Sequence, residues 1–337
     1  MSKKIIVSII GATGYTGLEL VRLLVAHPNV EFKYLTSTTH AGMPYSEVWP
    51  HLEGVVDIPL MNPDPSTVAN ESDLVFLALP HFESSKIMPE LIGKTKMIDL
   101  SGDFRLKNVE LFEQYYGQAH SFPDGLKSFV YGFPELNAEL IKTAQYVANP
   151  GCFATACQLA LLPFKGKMAK AEIVALTGSS GSGKNPADGT HHPVRSHNVK
   201  SYKIGTHQHL PEIVQTLELP LDFLSFVPTS GPFTRGIHAT TFLTLESPMS
   251  SSEMNALIQT TYESAPFVRV RSDVQLADVV GSNFADISCT FVNGQPVVQV
   301  VIDNLVKGAG GTAVHNMNLM FDLEETAGLA QLSPLFP

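Results

Sequence analysis

The chain has 337 residues, 44% hydrophobic and 16% charged, which is enough to bury a large core and fits about two domains. Its 22 Lys and Arg against 32 Asp and Glu leave a formal charge of −10 without a basic run. This argues against a nucleic-acid surface and leaves anionic ligands to local cations and backbone N–H groups. Three cysteines without regular spacing, no apolar run approaching about 18 residues, and a start that leads straight into a strand predict a cytoplasmic protein with reduced thiols, no disulfide framework and no membrane span.

Ile5 to Ile10 is a continuous apolar run rich in β-branched residues, the mark of a strand buried on both faces of a parallel sheet. Gly11-Ala12-Thr13-Gly14-Tyr15-Thr16-Gly17 follows at once and leads into a helical run, Leu18 to His27, stopped by Pro28-Asn29. Glycines between a strand and a helix fit a dinucleotide loop. Gly11 permits the turn, Gly14 lets a pyrophosphate approach the N–H groups at the helix start, and Gly17 lets helix and strand pack closely. The spacing is G-x-x-G-x-x-G, so the strand-helix setting carries the specificity, against a purely structural glycine turn. A second strand, Glu31 to Thr36, ends at Ser37-Thr38-Thr39, where an NAD-selective site carries Asp or Glu for the ribose hydroxyl. The missing carboxylate favours NADP, although the Arg that often clamps a 2′-phosphate is missing too. Strands at Asp73 to Leu79 and Met97 to Leu100 end at Pro80-His81 and Ser101-Gly102-Asp103, in loops expected to line the cofactor site. Arg105 is the nearest cation for a substrate carboxylate or phosphate, with a surface salt bridge as its alternative role.

The second half centres on V-A-N-P-G-C-F-A-T-A-C-Q-L-A-L-L-P, Val147 to Pro163. Pro150-Gly151 predicts a tight turn in which Gly151 can take φ > 0, and the run from Phe153 to Leu162 has helical spacing. Cys152 therefore falls at or just before a helix N-terminus, where N–H groups and the helix dipole favour a thiolate and can hold an oxyanion. A small buried hydrophobe is the bland alternative for any lone cysteine. A strand at Ala171 to Leu176 runs into Thr177 to Pro186, where Gly178, Gly183 and Lys184 fit G-x-x-x-x-G-K. Asn185 stands in place of the magnesium-binding Ser or Thr and Pro186 argues against helix continuation, which rejects a nucleotide triphosphatase. What remains is a turn of N–H and hydroxyl donors with one Lys, suited to an anion such as an acyl phosphate. Five histidines crowd between His191 and His209. Two of them, His207 and His209, with Glu212 or His191, make a candidate zinc set, though no H-E-x-x-H or paired Cys supports it; alternatively, one histidine is the acid/base partner of Cys152. Leu224 to Val227, Gly236 to Leu245 and Phe284 to Val306, with a hairpin at Asn293-Gly294, predict a mostly antiparallel sheet. Arg235 reads as a structural salt bridge or an anion contact. Lys307 to Val314 is a glycine-rich entry to a last helix running through Leu323 that returns to the first domain.

Together G-A-T-G-Y-T-G, S-G-D-F-R, A-N-P-G-C-F-A-T, H-Q-H-L-P-E and L-V-K-G-A-G-G-T-A-V-H-N-M-N resemble the N-acetyl-γ-glutamyl-phosphate reductases over nearly the whole chain. That family is related to aspartate-semialdehyde dehydrogenase. The resemblance implies an α/β protein with a Rossmann dinucleotide-binding domain, 1–150, joined by a C-terminal helix, 311–337. An α+β catalytic and oligomerisation domain with a mostly antiparallel sheet spans 151–310. It implies NADP(H), a small-molecule acyl phosphate substrate, a homo-oligomer of two or four subunits, no nucleic acid, no membrane and no metal. Cys152 becomes the nucleophile and His209 the acid/base, with His207 as fallback. Gly11, Thr13, Gly14, Tyr15, Thr16, Gly17, Ser37, Thr38, Pro80, Gly181, Ser182 and Asn316 form the expected cofactor set, and Arg105, Ser180, Lys184, His207 and Glu212 the substrate set. Members of the family commonly place Arg where this chain has Thr38. Two rivals are a reductase of carrier-protein-linked aminoadipyl or glutamyl phosphate and a non-catalytic NADP-binding regulator. Short-chain reductase chemistry would want Tyr-x-x-x-Lys, and none of the nine tyrosines has Lys four residues on.

Overall fold

The computed structural model of the protein describes residues 4–330. The chain forms two units, one built from the residues up to Pro150 together with Ala309–Leu329, the other from Gly151–Gly308.

The first unit is built on seven strands: β1 (Ile5–Ile10), β2 (Val30–Thr36), β3 (Leu60–Met61), β4 (Leu74–Leu77), β5 (Lys96–Asp99), β6 (Phe129–Tyr131) and β7 (Tyr146–Ala148). Every pairing is parallel and the order is β3-β2-β1-β4-β5-β7-β6. The apolar runs of β1 and β4 form the centre because they are buried on both faces, as an all-parallel sheet demands. The chain winds outward from β1 through β2 and β3, then returns to β4 on its other side. The ends of β1 and β4 therefore mark the point where strand order reverses and ligands of such sheets sit. The first helix runs Tyr15–Leu24, three residues earlier than the apolar periodicity suggests, because Gly14 in extended conformation caps it and Gly17 is absorbed into its first turn. The short strands β3, β6 and β7 carry too few residues to show a period.

Asp99, at the end of β5, is completely buried and accepts bonds from Ser84 Oγ (2.7 Å), Ser101 N (3.1 Å) and Ser101 Oγ (2.7 Å). Burial, and secondarily the Asp103 charge, raise its pKa to about 6 despite those three donors. A carboxyl raised above its unfolded value of about 4 adds stability that is complete below that value and lost as pH rises through 6. Between pH 7 and 4.5 the wild type should therefore gain on the order of 2 kcal/mol relative to Asp99→Asn. Urea midpoints of both proteins across this range check it; a difference that does not change with pH removes Asp99 as the cause.

The second unit carries β8 (Met168–Thr177), β9 (Lys200–Ser201), β10 (Leu224–Ser230), β11 (Ile237–Leu245), β12 (Val268–Val270), β13 (Ala285–Val292) and β14 (Gln295–Ile302), in the order β12-β13-β14-β11-β8-β10-β9. Four of the six pairings are antiparallel; β8 with β10 and β12 with β13 are parallel. Asn293 (φ 53°) and Gly294 (φ 81°) close the β13–β14 hairpin with two left-handed residues, as a type I′ turn requires. Asp303 is completely buried and binds Arg235 through Nε and Nη2, both at 3.0 Å. Its carboxylate also accepts the N–H groups of Gly281, Leu305 and Val306. Of the two roles open to Arg235 in the sequence, the structure shows the salt bridge.

The glycine-rich entry to the last helix is a π-helical turn, Val306–Gly310, a feature with no sequence period to announce it. The helix spans Gly311–Met320 and stops short of the expected Leu323, because Leu323 N turns back onto Asn318 O (2.9 Å) and Asp322 takes φ 52°. The final part of the expected 311–337 helix, residues 331–337, lies outside the described residues. Among the described residues no helix is long and apolar enough to cross a membrane.

Candidate active site

Cys152 is the first residue of the helix Cys152–Leu161. Gly151 caps that helix in extended conformation, φ −72° and ψ 148°, so the positive φ anticipated at Gly151 is not used. The close approach occurs at Gly308, where an added Cβ would lie 2.7 Å from Cys152 Cβ. Gly151 O accepts from Thr155 N (2.8 Å) and Thr155 Oγ1 (3.1 Å), which leaves the N–H groups of Cys152, Phe153 and Ala154 ahead of the first intrahelical bond. An anion at the Cys152 sulfur or on an adduct of it sits where a helix N-terminus stabilises negative charge. The other thiols are of a different kind. Burial pushes the Cys157 thiol far up, with the charges of Cys152 and Glu212 adding to it, and burial pushes Cys289 up to about 11.

The helix His209–Leu217 packs against the cysteine helix, and polar bonds fix its register. Gln158 Nε2 donates to Glu212 O (3.3 Å) and Thr216 Oγ1 (3.0 Å). Glu212, completely buried, accepts the Gly151 N–H at 2.7 Å through Oε1. That bond makes the Glu212 carboxylate a brace of the turn before Cys152. His209 opens the same helix, and its backbone N donates to His207 Nδ1 at 3.1 Å, which commits that nitrogen of His207 as an acceptor. Both rings are buried and lie edge-on to each other, with centroids 4.7 Å apart. Phe153, next to Cys152, touches His207 at 5.4 Å and His209 at 6.2 Å. His191, His192 and His197 are exposed, so only two of the five clustered histidines belong to this core. Among the described residues no group of three or more His, Cys, Asp or Glu side chains is placed to hold a metal ion.

Tyr202 escaped the sequence reading. Its ring lies edge-on to His207 at 5.8 Å, and burial, then the charge at Cys152, push its hydroxyl upward, which keeps it a neutral hydrogen-bond donor. In the same unit Ser180 Oγ bonds to the Asn304 side chain (3.0 Å from its Nδ2), while Gly181, Ser182 and Lys184 are exposed on the turn that follows.

In the first unit Gly11 has φ +89°, and an added Cβ would stand 2.4 Å from Ala78 O; one on Gly17 would stand 2.5 Å from Gly11 O. Tyr45, fully buried, donates from its hydroxyl to Ala12 O at 2.9 Å and locks the loop. Thr13, Tyr15 and Thr16 are half-buried along it, and Thr13 Oγ1 meets Ser37 Oγ at 3.3 Å. Thr38 and Pro80 are exposed at the ends of β2 and β4. Arg105 is buried and donates from Nε to Asn149 O (2.7 Å) and from Nη2 to Leu100 O (2.9 Å), so two arms of its guanidinium brace the ends of β5 and β7. Asn316 donates to Gly132 O (2.9 Å) and Asn149 Oδ1 (3.1 Å), and its buried Oδ1 has no hydrogen-bond partner among the described residues.

The family profile described as "Semialdehyde dehydrogenase, NAD binding domain" matches residues 6–144, and "Semialdehyde dehydrogenase, dimerisation domain" matches residues 152–304. A Methanosarcina barkeri protein named N-acetyl-gamma-glutamyl-phosphate reductase is 44% identical over 95% of this chain and 96% of its own. A Nitrosococcus oceani protein of the same name is 42% identical over 97% and 98%. The chain belongs to the N-acetyl-γ-glutamyl-phosphate reductase family. Its fold is that of aspartate semialdehyde dehydrogenase II from Vibrio cholerae, with a TM-score of 0.73 at 17% identity over 95% of this chain and 99% of that one. It is equally that of the Candida albicans enzyme with NADP, with a TM-score of 0.68 at 16% identity over 95% and 99%.

The first unit of this reductase-family chain fits the dinucleotide. The glycine loop has no room for a Cβ at Gly11 or Gly17, the helix it opens has no acidic residue in its first turn, and Asn316 keeps an unsatisfied buried oxygen. The cofactor of this family member is NADP(H).

Proposed function

We propose that the protein reduces N-acetyl-γ-glutamyl phosphate to N-acetylglutamate 5-semialdehyde and phosphate, at the expense of NADPH, through a thioester on Cys152. The observation that carries this reading is a cysteine at a helix N-terminus, braced by Glu212 and packed through Phe153 against two buried histidines. The Cys152 sulfur attacks the γ-carbonyl carbon, and the bond from that carbon to the phosphate oxygen breaks. His209 takes the thiol proton and hands it to the departing oxygen, so that phosphate leaves with its charge lowered. The N–H groups of Cys152, Phe153 and Ala154 hold the tetrahedral oxyanion, and Tyr202 adds a neutral donor beside them. NADPH, when bound, supplies the hydride that takes the thioester to the aldehyde level. The loop shaped by Gly11, Gly14 and Gly17 would hold its pyrophosphate at the start of the first helix, and Asn316 Oδ1 would accept from a ligand amide. Cleavage of the carbon–sulfur bond regenerates the Cys152 thiolate. Ser180, Lys184 and Arg105 bind the anionic ends of the substrate.

Residues 152–304 form the contact of a homodimer or a dimer of dimers, in keeping with the profile that matches them, and the protein works in the cytoplasm. Purified protein given N-acetylglutamate semialdehyde and NADP+ should form NADPH only when inorganic phosphate is added. Phosphate-independent reduction would replace acyl-phosphate chemistry with plain aldehyde oxidation, and no reduction with this aldehyde would move the substrate elsewhere.

A further inference from the structure

We infer that His40 reads the 2′-phosphate of NADP(H) and sets the preference for NADP over NAD, a role that rests on the NADP(H) reading above. The end of β2 pairs with the end of β1 (Ile10 beside Thr36), directly next to the glycine loop. Ala12 N donates to Thr36 O (3.0 Å) and Gly11 N to Thr36 Oγ1 (3.3 Å), so loop and strand end are one piece. In a doubly wound sheet this strand end faces the adenosine ribose, and the side chains there choose between a hydroxyl and a phosphate.

Residues 37–40 form a compact polar knot at that place. Buried Ser37 Oγ meets Thr13 Oγ1 (3.3 Å), Thr39 Oγ1 (3.4 Å) and His40 Nδ1 (3.3 Å), and accepts from His40 N (3.3 Å). Thr39 Oγ1 lies 2.8 Å from His40 Nδ1. The turn is pinned from β3 by Ser37 N to Met61 O (2.9 Å) and Gly42 N to Leu60 O (2.8 Å). With Nδ1 engaged by two hydroxyls, Nε2 of the half-buried imidazole is left for a ligand.

The charge inventory leaves His40 as the side chain at this turn that can meet a phosphate. From Tyr34 to Ser85 the sequence contains neither Lys nor Arg, and from Phe32 to Ser46 neither Asp nor Glu. The flanking cations are committed: Lys33 to Glu71 (2.8 Å), Lys86 to Glu83 (2.7 Å) and Arg22 to Glu19 (2.7 Å). Two more histidines fall in that segment. His51 packs against Trp49, and His81 Nδ1 accepts from Gly102 N; neither stands at the end of β2. A 2′-phosphate brings two negative charges and three acceptor oxygens to a knot that holds hydroxyl donors, an imidazole N–H and no carboxylate. NAD offers the same knot only a hydroxyl. A charge-assisted bond of this kind changes affinity by roughly ten- to a hundredfold.

The test is calorimetric titration of the wild type, His40→Ala and His40→Arg with NADP+, NAD+ and 2′,5′-ADP, in the absence of substrate. His40→Ala should weaken NADP+ and 2′,5′-ADP roughly ten- to a hundredfold and leave NAD+ within about twofold, while His40→Arg restores or tightens both phosphorylated ligands. An unchanged ratio of NADP+ to NAD+ affinity in His40→Ala overturns the assignment, and so does an equal loss of all ligands, which would mark His40 as a brace of the turn. A wild type that binds NAD+ more tightly than NADP+ would instead sink the cofactor reading beneath it.

Discussion

Cys152→Ser should lower the phosphate-dependent reduction of NADP+ by about four orders of magnitude or more, as loss of a covalent nucleophile does. The substitution keeps size and hydrogen-bonding capacity, but a serine hydroxyl does not become an anion at a helix N-terminus as a thiol does. Its structural cost is small. Cys152 is only partly buried, and Ser suits the first turn of a helix, so the urea midpoint should stay where it is. NADP+ binding should persist as well, since the glycine loop belongs to the other unit. Alkylation gives an independent reading. Brief iodoacetamide treatment of the wild type should label Cys152 first, because Cys157 is buried and Cys289 is held near 11, both poor thiolates at neutral pH. The rapid label should vanish in Cys152→Ser. Comparable turnover in the two proteins would end the thioester mechanism.

Features that depend on neighbours in the chain were legible without coordinates. The glycine loop lies between a β-branched run and a helix, and Pro150-Gly151 precedes an apolar helical run, so both were placed by local pattern. Features made by residues distant in sequence were not. Glu212 meets Gly151 across 61 positions, a contact that no local pattern announces. Gly308 presses on Cys152 from the far end of the second unit, and Tyr202 reaches the site through a half-buried ring that no period predicts. The two roles of glycine were therefore exchanged. Gly151 was credited with a special backbone angle it does not adopt, while the need for a missing Cβ sits at Gly308. The histidine segment shows the same limit from another side. Five histidines over 19 positions are equivalent in sequence, and burial separates His207 and His209 from the rest.

Between those two, the backbone decides the next expected result. His207 Nδ1 accepts the His209 N–H and the His207 ring is enclosed by Phe153, Tyr202 and Phe226, so its environment is that of a brace. His209→Asn should lower kcat by about 10²- to 10⁴-fold, the usual worth of a positioned acid/base. It should also change the shape of the pH dependence of kcat/KM. His207→Asn removes the ring contacts while its Oδ1 keeps an acceptor for His209 N, which should cost on the order of 1–3 kcal/mol in urea unfolding. Its activity should fall through misplacement of His209, with the pH profile keeping its shape. The shape of the profile separates the two residues where bare rates do not, since both variants are slow. If His207→Asn flattens the profile and His209→Asn preserves it, proton transfer belongs to His207. His209 would then serve only to open the helix that carries Glu212 to the Gly151 turn.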